Sequence, residues 1–423
     1  MNIKLIIGIA ILCLGAACTR TEKNQPEPIV AFVGGQLIDG TGQAPVNNAV
    51  LLVSNGTIID VGTDDSVEVP EHIEIVDVTG KTIIPGLINA HGHIGGTEGL
   101  TSSYSEQNVI RDLKLNAAYG VTTVYSLGGD EQESVAIRDE QESLNRSRLF
   151  VAGEVVTGDT PDAARDMVDQ NAAMNVDFIK IRVDDNLGTI QKMAAPIYEA
   201  IIDQAKKHDL EVVAHIFYLE DAKALLKLGV RFIGHSVRDQ LIDEEFINLM
   251  KEKDATYCPT LMREVSTFIY ENTPFFFEDP FFLSHADTSV IQQLENPDRQ
   301  LKVRESLSAQ RYKEGLEIAK ENLKRLSDAG VKIAMGTDSG PPARFQGYFE
   351  HLELEHMVEA GLTPMQSIVA ATGNAVYSKN KSQLGTLEKG KKADFIILSK
   401  DPLSDIRNTR TIESVWIDGH KIQ

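Results

Sequence analysis

The chain has 423 residues, enough for two or three domains or for one large barrel with an appendage. Its 62 acidic residues outnumber 41 Lys and Arg, and the resulting net charge of −21 excludes nucleic acid as a partner, since phosphates would be repelled. A hydrophobic fraction of 42% with 24% charged residues excludes wholesale disorder, and only three cysteines (Cys13, Cys18, Cys258) exclude a disulfide framework in the mature chain.

At the N-terminus, Lys4 precedes an apolar run from Leu5 to Ala17 that is too short to span a bilayer and suits the core of a signal peptide. The segment Gly15-Ala16-Ala17-Cys18 resembles a bacterial lipoprotein signal. That implies a lipidated Cys18 and a membrane-anchored protein, periplasmic or at the cell surface. Gly15-x-Ala17 equally suits an ordinary signal peptidase, which would release a soluble periplasmic or secreted protein. The expectation is an exported protein with a signal peptide over 1–18 and a flexible polar linker over 19–28, touching the membrane only through a lipid anchor.

Short β-branched runs punctuated by Gly and Asn-Gly turns follow: IVAFVGGQLIDGTG, AVLLVSNGTIIDVG and IEIVDVTGKTIIPG. The same texture returns at the C-terminus in GKKADFIILSKDPL and IESVWIDGHKI. Segments 29–81 and 382–423 are therefore expected to pair into one small composite β domain.

Between them, strand-like runs alternate with helical ones. Eight are counted: 82–94, 120–129, 148–156, 176–185, 210–217, 229–237, 255–262 and 330–340. Several helices end in Gly just before the next strand, as in AYGVTT, KLGVRF and DAGVKI. Eight βα units predict an α/β chain folded as a (β/α)8 TIM barrel over 82–381, with an open doubly wound sheet as the alternative. The segment 263–299 breaks the spacing. It is rich in Phe and Pro and follows the seventh strand, so it is either a lid over the barrel mouth or an insertion packing its own aromatics.

His91 and His93 stand at the end of the first predicted strand, and a spacing of two places both imidazoles on one face. Alone this pattern is weak. Lys180 lies in the fourth strand, His215 and His235 close the fifth and sixth, and Asp338 closes the eighth, so all six meet at the end of the barrel that carries catalysis in this fold. Each has a plainer reading: a hydrogen-bonded barrel histidine, a lysine paired with Asp184 or Asp185, an aspartate capping a loop.

The motifs PGLINAHGHI, GVTTVYSLGG, DFIKI, VVAHIF, IGHS, MGTDS and the closing GKKADFIIL with DPL resemble the amidohydrolase superfamily of metal-dependent hydrolases. The resemblance spans nearly all of 29–423 and is closest to its imidazolonepropionase-like and prolidase-like branch, which carries a lysine on strand four. It implies a TIM barrel with a small β-sandwich made from both chain ends. It also implies two divalent metals, most often zinc, bridged by a hydroxide and by that lysine carboxylated with CO2. Carried over, His91, His93 and Asp338 would hold the more buried metal, His215 and His235 the more exposed one, and carboxylated Lys180 would bridge them. Asp338 would also be the catalytic residue that moves the proton to the leaving group, usually a nitrogen. Imidazole and oxygen donors suit Zn2+, and Mn2+ or Fe2+ remain open.

For the small-molecule substrate, Arg182 lies two residues beyond Lys180 on the same strand face and Arg263 just past strand seven. Either could hold a carboxylate, or be neutralised by Asp184, Asp185 or Glu264. His351 sits in FEHLELEHMVEAGLTP, which resembles a family segment after strand eight, and is a third candidate contact. Prolidase-like relatives carry a Gly-Gly-His after strand three and a Gly-Gly after the strand-four lysine. Here VVTGDTPDAA and IRVDDNLG stand instead, which puts dipeptidase specificity in doubt. The expectation is hydrolysis of an amide or other C–N bond in a small substrate. Ester, lactone or phosphoester hydrolysis is the enzymatic alternative, and a surface-tethered binding protein the non-enzymatic one. The oligomeric state is left open.

Overall fold

Residues 28–140, 145–377 and 382–422 are described by a computed structural model. The signal-peptide and linker expectations therefore fall, apart from Pro28, outside the described residues. Among the described residues no helix is long and apolar enough to cross a membrane.

Eight parallel strands make the barrel: Leu87–Gly92, Val121–Ser126, Arg148–Val151, Phe178–Val183, Glu211–Ile216, Phe232–Gly234, Thr256–Cys258 and Lys332–Ile333. The first three pair as one sheet and the last five as another. Backbone bonds close both seams. Val156 N–H donates to Lys180 O at 2.8 Å between the third and fourth strands, and Ala90 N–H to Met335 O at 2.9 Å between the eighth and first. A closed parallel sheet must be covered by helices on its outside, and its strands accordingly read as nearly continuous apolar runs.

Alternation along the fourth strand sorts its residues. Ile179, Ile181 and Val183 face the helical layer, whereas Phe178 joins Tyr125, Phe150, Val213 and Phe232 inside the barrel. Tyr377 plugs that interior, with its ring centroid 4.1 Å from Phe232 and 4.6 Å from Tyr125. Lys180 and Arg182 share the inward phase of Phe178, which carries them towards the C-terminal mouth.

The first strand breaks phase. Between the pairs Asn89/Val124 and Gly92/Ser126 it takes one residue more than its neighbour. Such a bulge re-aims a side chain. Ala90 lies inside the barrel, and after the bulge His91 turns to the same interior, fully buried.

The chain ends meet as expected. One eight-stranded sheet combines five N-terminal strands, from Ile29–Leu37 to Thr82–Pro85, with Phe395–Leu398, Ile412–Ile417 and His420–Lys421. Its apolar face is centred on Phe32, Phe395 and Trp416, the last two stacked at 5.6 Å. The run read from sequence as barrel strand one, from residue 82, serves two sheets. Thr82–Pro85 pairs with Phe395–Leu398, and the barrel strand begins at Leu87. Gly86 makes the transfer, because a Cβ there would lie 2.1 Å from Thr122 Oγ1.

The segment after strand seven folds as short helices, among them Leu261–Val265, Pro280–Leu283, Thr288–Leu294 and Pro297–Arg304. Its buried Phe276 and Phe282 pack on Phe345 and Tyr348, with centroids 4.8–6.1 Å apart, so the insertion leans on the loop and helix that follow strand eight.

Candidate active site

The six residues expected at the mouth come together there. Among the described residues, His91, His93 and Asp338 each offer a ligand atom, all within 4.8 Å of one another. His93 Nε2 lies 2.9 Å and His91 Nε2 3.5 Å from Asp338 Oδ1. The His91 and His235 rings are 4.5 Å apart and those of His215 and His235 4.0 Å apart. Lys180 Nζ is 2.8 Å from His91 Nε2, and among the described residues no acid pairs with it. Asp184 is bound instead to His215, and Asp185 to Tyr218.

What surrounds the histidines fixes which nitrogen faces inward. His93 Nδ1 donates to Gly128 O at 3.0 Å and His215 Nε2 to Asp184 Oδ2 at 2.9 Å. His235 Nδ1 pairs with Thr260 Oγ1 at 2.7 Å. Gly128 O and Asp184 can only accept, so the other ring nitrogen of His93 and of His215 is left to present a lone pair to the centre, as a metal-binding imidazole is oriented, and the Thr260 hydroxyl can accept from His235 in the same way. On His93 that nitrogen stands 2.9 Å from a carboxylate oxygen, a contact that a shared proton or a bound cation makes favourable. Among the described residues, His91 Nδ1 is buried without a hydrogen-bond partner. The donor set, with neutral imidazoles, a carboxylate and a buried amine, fits a divalent-metal centre.

Electrostatics agree with that reading. Burial, then the Lys180 charge, holds His91 well below the ordinary histidine range. Burial likewise takes His215 down to about 3 and His235 well below its usual value, so the imidazoles are neutral donors. Burial would raise Asp338, but the Arg344 guanidinium and the His93 hydrogen bond outweigh it and keep the carboxyl ionised. Burial lowers the Lys180 ammonium to about 8. Asp338 and His235 adopt left-handed backbone angles, φ +57° and +69°, and so does Thr260 at +49°. Strain of this kind, on the order of 1–3 kcal/mol per residue, collects at functional sites.

The three expected substrate contacts fare differently. Arg182 is about a third exposed and touches Asp184 Oδ2 at 3.3 Å. Arg263 is corrected: it is buried, donates to Glu264 at 3.0 Å and to the Tyr312 hydroxyl at 3.3 Å, and stacks on the Tyr312 ring. Its charge is spent inside the protein. His351 is corrected as well. Both its ring nitrogens are occupied at 2.9 Å, by Thr409 Oγ1 and Tyr119 O, which leaves none for a substrate.

Three further residues bear on the site in roles that the sequence does not announce, Asp184 reading there only as an acid near Lys180 and Arg182. Asp184 anchors His215. Arg344, in the loop after strand eight, donates to Asp338 Oδ2. Glu350 accepts from Asn89, Thr337 and Ser339 behind the first and last strands.

A closed barrel with this cluster at its mouth defines a metal-dependent hydrolase. The profile of the amidohydrolase family matches residues 82–422, and the chain belongs to that family; it is an enzyme, a hydrolase of carbon–nitrogen bonds. It is 25% identical to the ochratoxinase of Aspergillus niger, across 92% of this chain and 86% of that one. It is 20% identical to the imidazolonepropionase of Streptomyces griseus subsp. griseus, across 91% and 95%. Among solved structures it is similar to a putative prolidase from Bifidobacterium longum, with 25% identity, a TM-score of 0.75 and coverage of 93% and 94%.

Proposed function

We propose that the protein is a binuclear metal-dependent hydrolase that cleaves an amide or other C–N bond of a small substrate. The observation carrying this reading is the set of hydrogen bonds that engages one nitrogen each of His93, His215 and His235 and leaves the other outside those bonds, that of His93 facing Asp338. His91, His93 and Asp338 would hold the more buried ion, His215 and His235 the more exposed one, and carboxylated Lys180 would contribute an oxygen to each.

A lysine reacts with CO2 only as the free amine, and a buried ammonium lowered to about 8 supplies that form near neutral pH. The carbamate then changes a cation, which cannot ligate a metal, into an anionic oxygen donor. Divalent ions held there, Zn2+ by the donor set, supply Lewis acidity and bring water towards an ionisation near 7. The residues of the chain do the rest. Asp338 Oδ1 stands 2.9 Å from His93 Nε2, at the centre of the cluster, where it takes the proton of the attacking water and returns it to the leaving nitrogen. Asp184 keeps His215 in one tautomer. Arg182, partly exposed on the inward face two residues beyond Lys180, remains the group that could meet a substrate carboxylate.

The test is the metal content of the mature protein purified without chelator, followed by a panel of dipeptides, N-acyl amino acids, cyclic amides and lactones. Two divalent ions per chain and turnover of an amide are expected. One ion would remove the bridging role of Lys180. None after addition of zinc and bicarbonate would overturn the assignment.

A further inference from the structure

Asp338 has two oxygens in different company. Oδ1 faces His93 and His91, at 2.9 and 3.5 Å. Oδ2 accepts from Arg344 Nη1, which also lies 3.3 Å from the backbone oxygen of Asp338. The arginine comes back to the aspartate because the loop between them is folded on itself. Gly340 N–H donates to Arg344 O and Arg344 N–H to Pro341 O, both at 3.0 Å, and Ala343 turns the chain with φ +66°.

That turn is held from outside by the segment after strand seven. The hydroxyl of Tyr270, a residue 4% exposed, donates to Ala343 O at 2.6 Å. The next aromatic of the loop, Phe345, is packed against Phe282 and Phe276 of the same segment at 4.8 and 6.1 Å. The insertion thus grips the residues on either side of Arg344, and Arg344 grips Asp338.

We propose that Arg344 and Tyr270 are a positioning pair that sets the orientation of the Asp338 carboxylate. The terminal torsion of an aspartate is broad and nearly two-fold, so the side chain alone does not fix which oxygen meets the histidines or at what tilt. A guanidinium bound at Oδ2 removes that freedom, and Tyr270 removes the freedom of the turn that delivers the guanidinium. The aromatic insertion then acts on catalysis as a brace behind strand eight. The inference rests on reading Asp338 as metal ligand and proton acceptor.

The experiment compares Arg344→Gln, Arg344→Lys, Tyr270→Phe and the double variant Arg344→Gln/Tyr270→Phe in the full metal-loaded protein, with Asp338→Asn as reference. Two quantities are read: kcat and KM on the best amide of the panel, and the visible absorption of the Co2+-loaded protein, which reports ligand geometry without turnover. Arg344→Gln should lower kcat by about tenfold to a hundredfold, the usual effect of removing a partner of a metal ligand, with KM within about twofold. Its Co2+ band should change. Arg344→Lys should recover part of both, because it restores a donor to Oδ2. Tyr270→Phe should shift both in the same direction by less, and the double variant should be no worse than Arg344→Gln alone.

An unchanged Co2+ band and kcat in Arg344→Gln would overturn the proposal. So would a rise in KM alone, which would make Arg344 a substrate contact, or losses that multiply in the double variant, which would make Tyr270 independent of it. If Asp338→Asn is inactive while Arg344→Gln is unaffected, only this inference falls. If Asp338→Asn keeps wild-type activity and spectrum, the metal-hydrolase reading falls with it.

Discussion

Nζ of Lys180 and Nε2 of His91 lie 2.8 Å apart in the barrel interior, both residues buried, with no carboxylate paired to the amine among the described residues. A buried ammonium without an acid is expensive to keep charged, and its fall to about 8 is the protein's response. A position this costly is hard to explain by packing, since a leucine would fill it without penalty.

Lys180→Ala should therefore cost activity heavily, at least about a hundredfold, because the bridging oxygen donor goes with it. A short carboxylic acid such as acetate or propionate at millimolar concentration should restore part of the rate, since its carboxylate fits the space and charge of the carbamate. The measurements are kcat with and without the acid, and the 13C signal of the wild type after exchange with labelled bicarbonate. Full activity in Lys180→Ala, or absence of the carbamate signal in an active wild type, would refute the bridging role.

Asp184 gives a second prediction. It accepts from His215 Nε2 at 2.9 Å and from the Asn186 N–H at 2.9 Å, and its side chain is fully buried. Burial would raise its pKa, but the hydrogen bonds from His215 and the Asn186 N–H, with the Arg238 charge, overcome this and hold the carboxyl well below the usual carboxylate range. Asp184→Asn keeps the shape and loses the charge, and its amide is free to present NH2 to the ring. The tautomer of His215 is then no longer dictated. Metal affinity or kcat should fall by about tenfold to a hundredfold. Metal titration of the apo variant checks this, and wild-type affinity with wild-type kcat would contradict it.

The six central residues could be read from the sequence because strand ends are a periodic signal: a ligand-type residue at the close of a β run points to one mouth of a barrel. Their supports had no such signal. Asn89 and Glu350 are hydrogen-bonded across a separation of 261 residues, and nothing in either segment announces the other. The helix Tyr348–Glu359 shows how small the margin is. His351 was the residue that looked chemical, yet it faces Thr409 and Tyr119. Its neighbour Glu350 faces the barrel. Adjacent helical residues point about 100° apart, and a helix buried nearly all round carries no polar face to set its phase. The same limit hid Gly86, since TIIP and LINAHG read as one continuous β run until the partner strands are known.

Glu350 supplies a third prediction. It is fully buried and accepts from Asn89 Nδ2, from Thr337 Oγ1 at 2.9 Å and from Ser339 Oγ at 2.8 Å. Asn89 in turn accepts the backbone N–H of His91 at 3.0 Å through its Oδ1. Glu350→Ala leaves the Thr337 and Ser339 hydroxyls without their acceptor around one cavity, while Asn89 Nδ2 keeps its bonds to those two hydroxyl oxygens, a loss of about 2 kcal/mol or more in unfolding free energy. Glu350→Gln keeps one acceptor and should cost less. Denaturant unfolding of the apo proteins orders the three chains. A Glu350→Ala variant as stable as the wild type would show that the network is not what ties strand one to strand eight.

Glu353 makes the fourth, and it concerns pH. Its carboxylate is fully buried and receives the backbone N–H groups of Leu261 at 2.8 Å and Met262 at 2.6 Å. Burial pushes its pKa up to about 8 in spite of those two donors. In the unfolded chain a glutamate titrates near 4.3, so between about 4.3 and 8 the folded protein holds a proton that the unfolded chain has already lost. Stability from this group is full below that window and is lost as pH rises through it, at up to about 1.4 kcal/mol per pH unit. Glu353→Gln has no proton to release. Whatever its absolute stability, its unfolding free energy should decline less steeply than that of the wild type between pH 5 and 8, and the two should run parallel above about pH 9. Urea unfolding of both apo proteins at half-unit intervals measures the difference in slope. Parallel curves across the whole range would mean that Glu353 is ionised in the folded state, with the two N–H groups outweighing its burial.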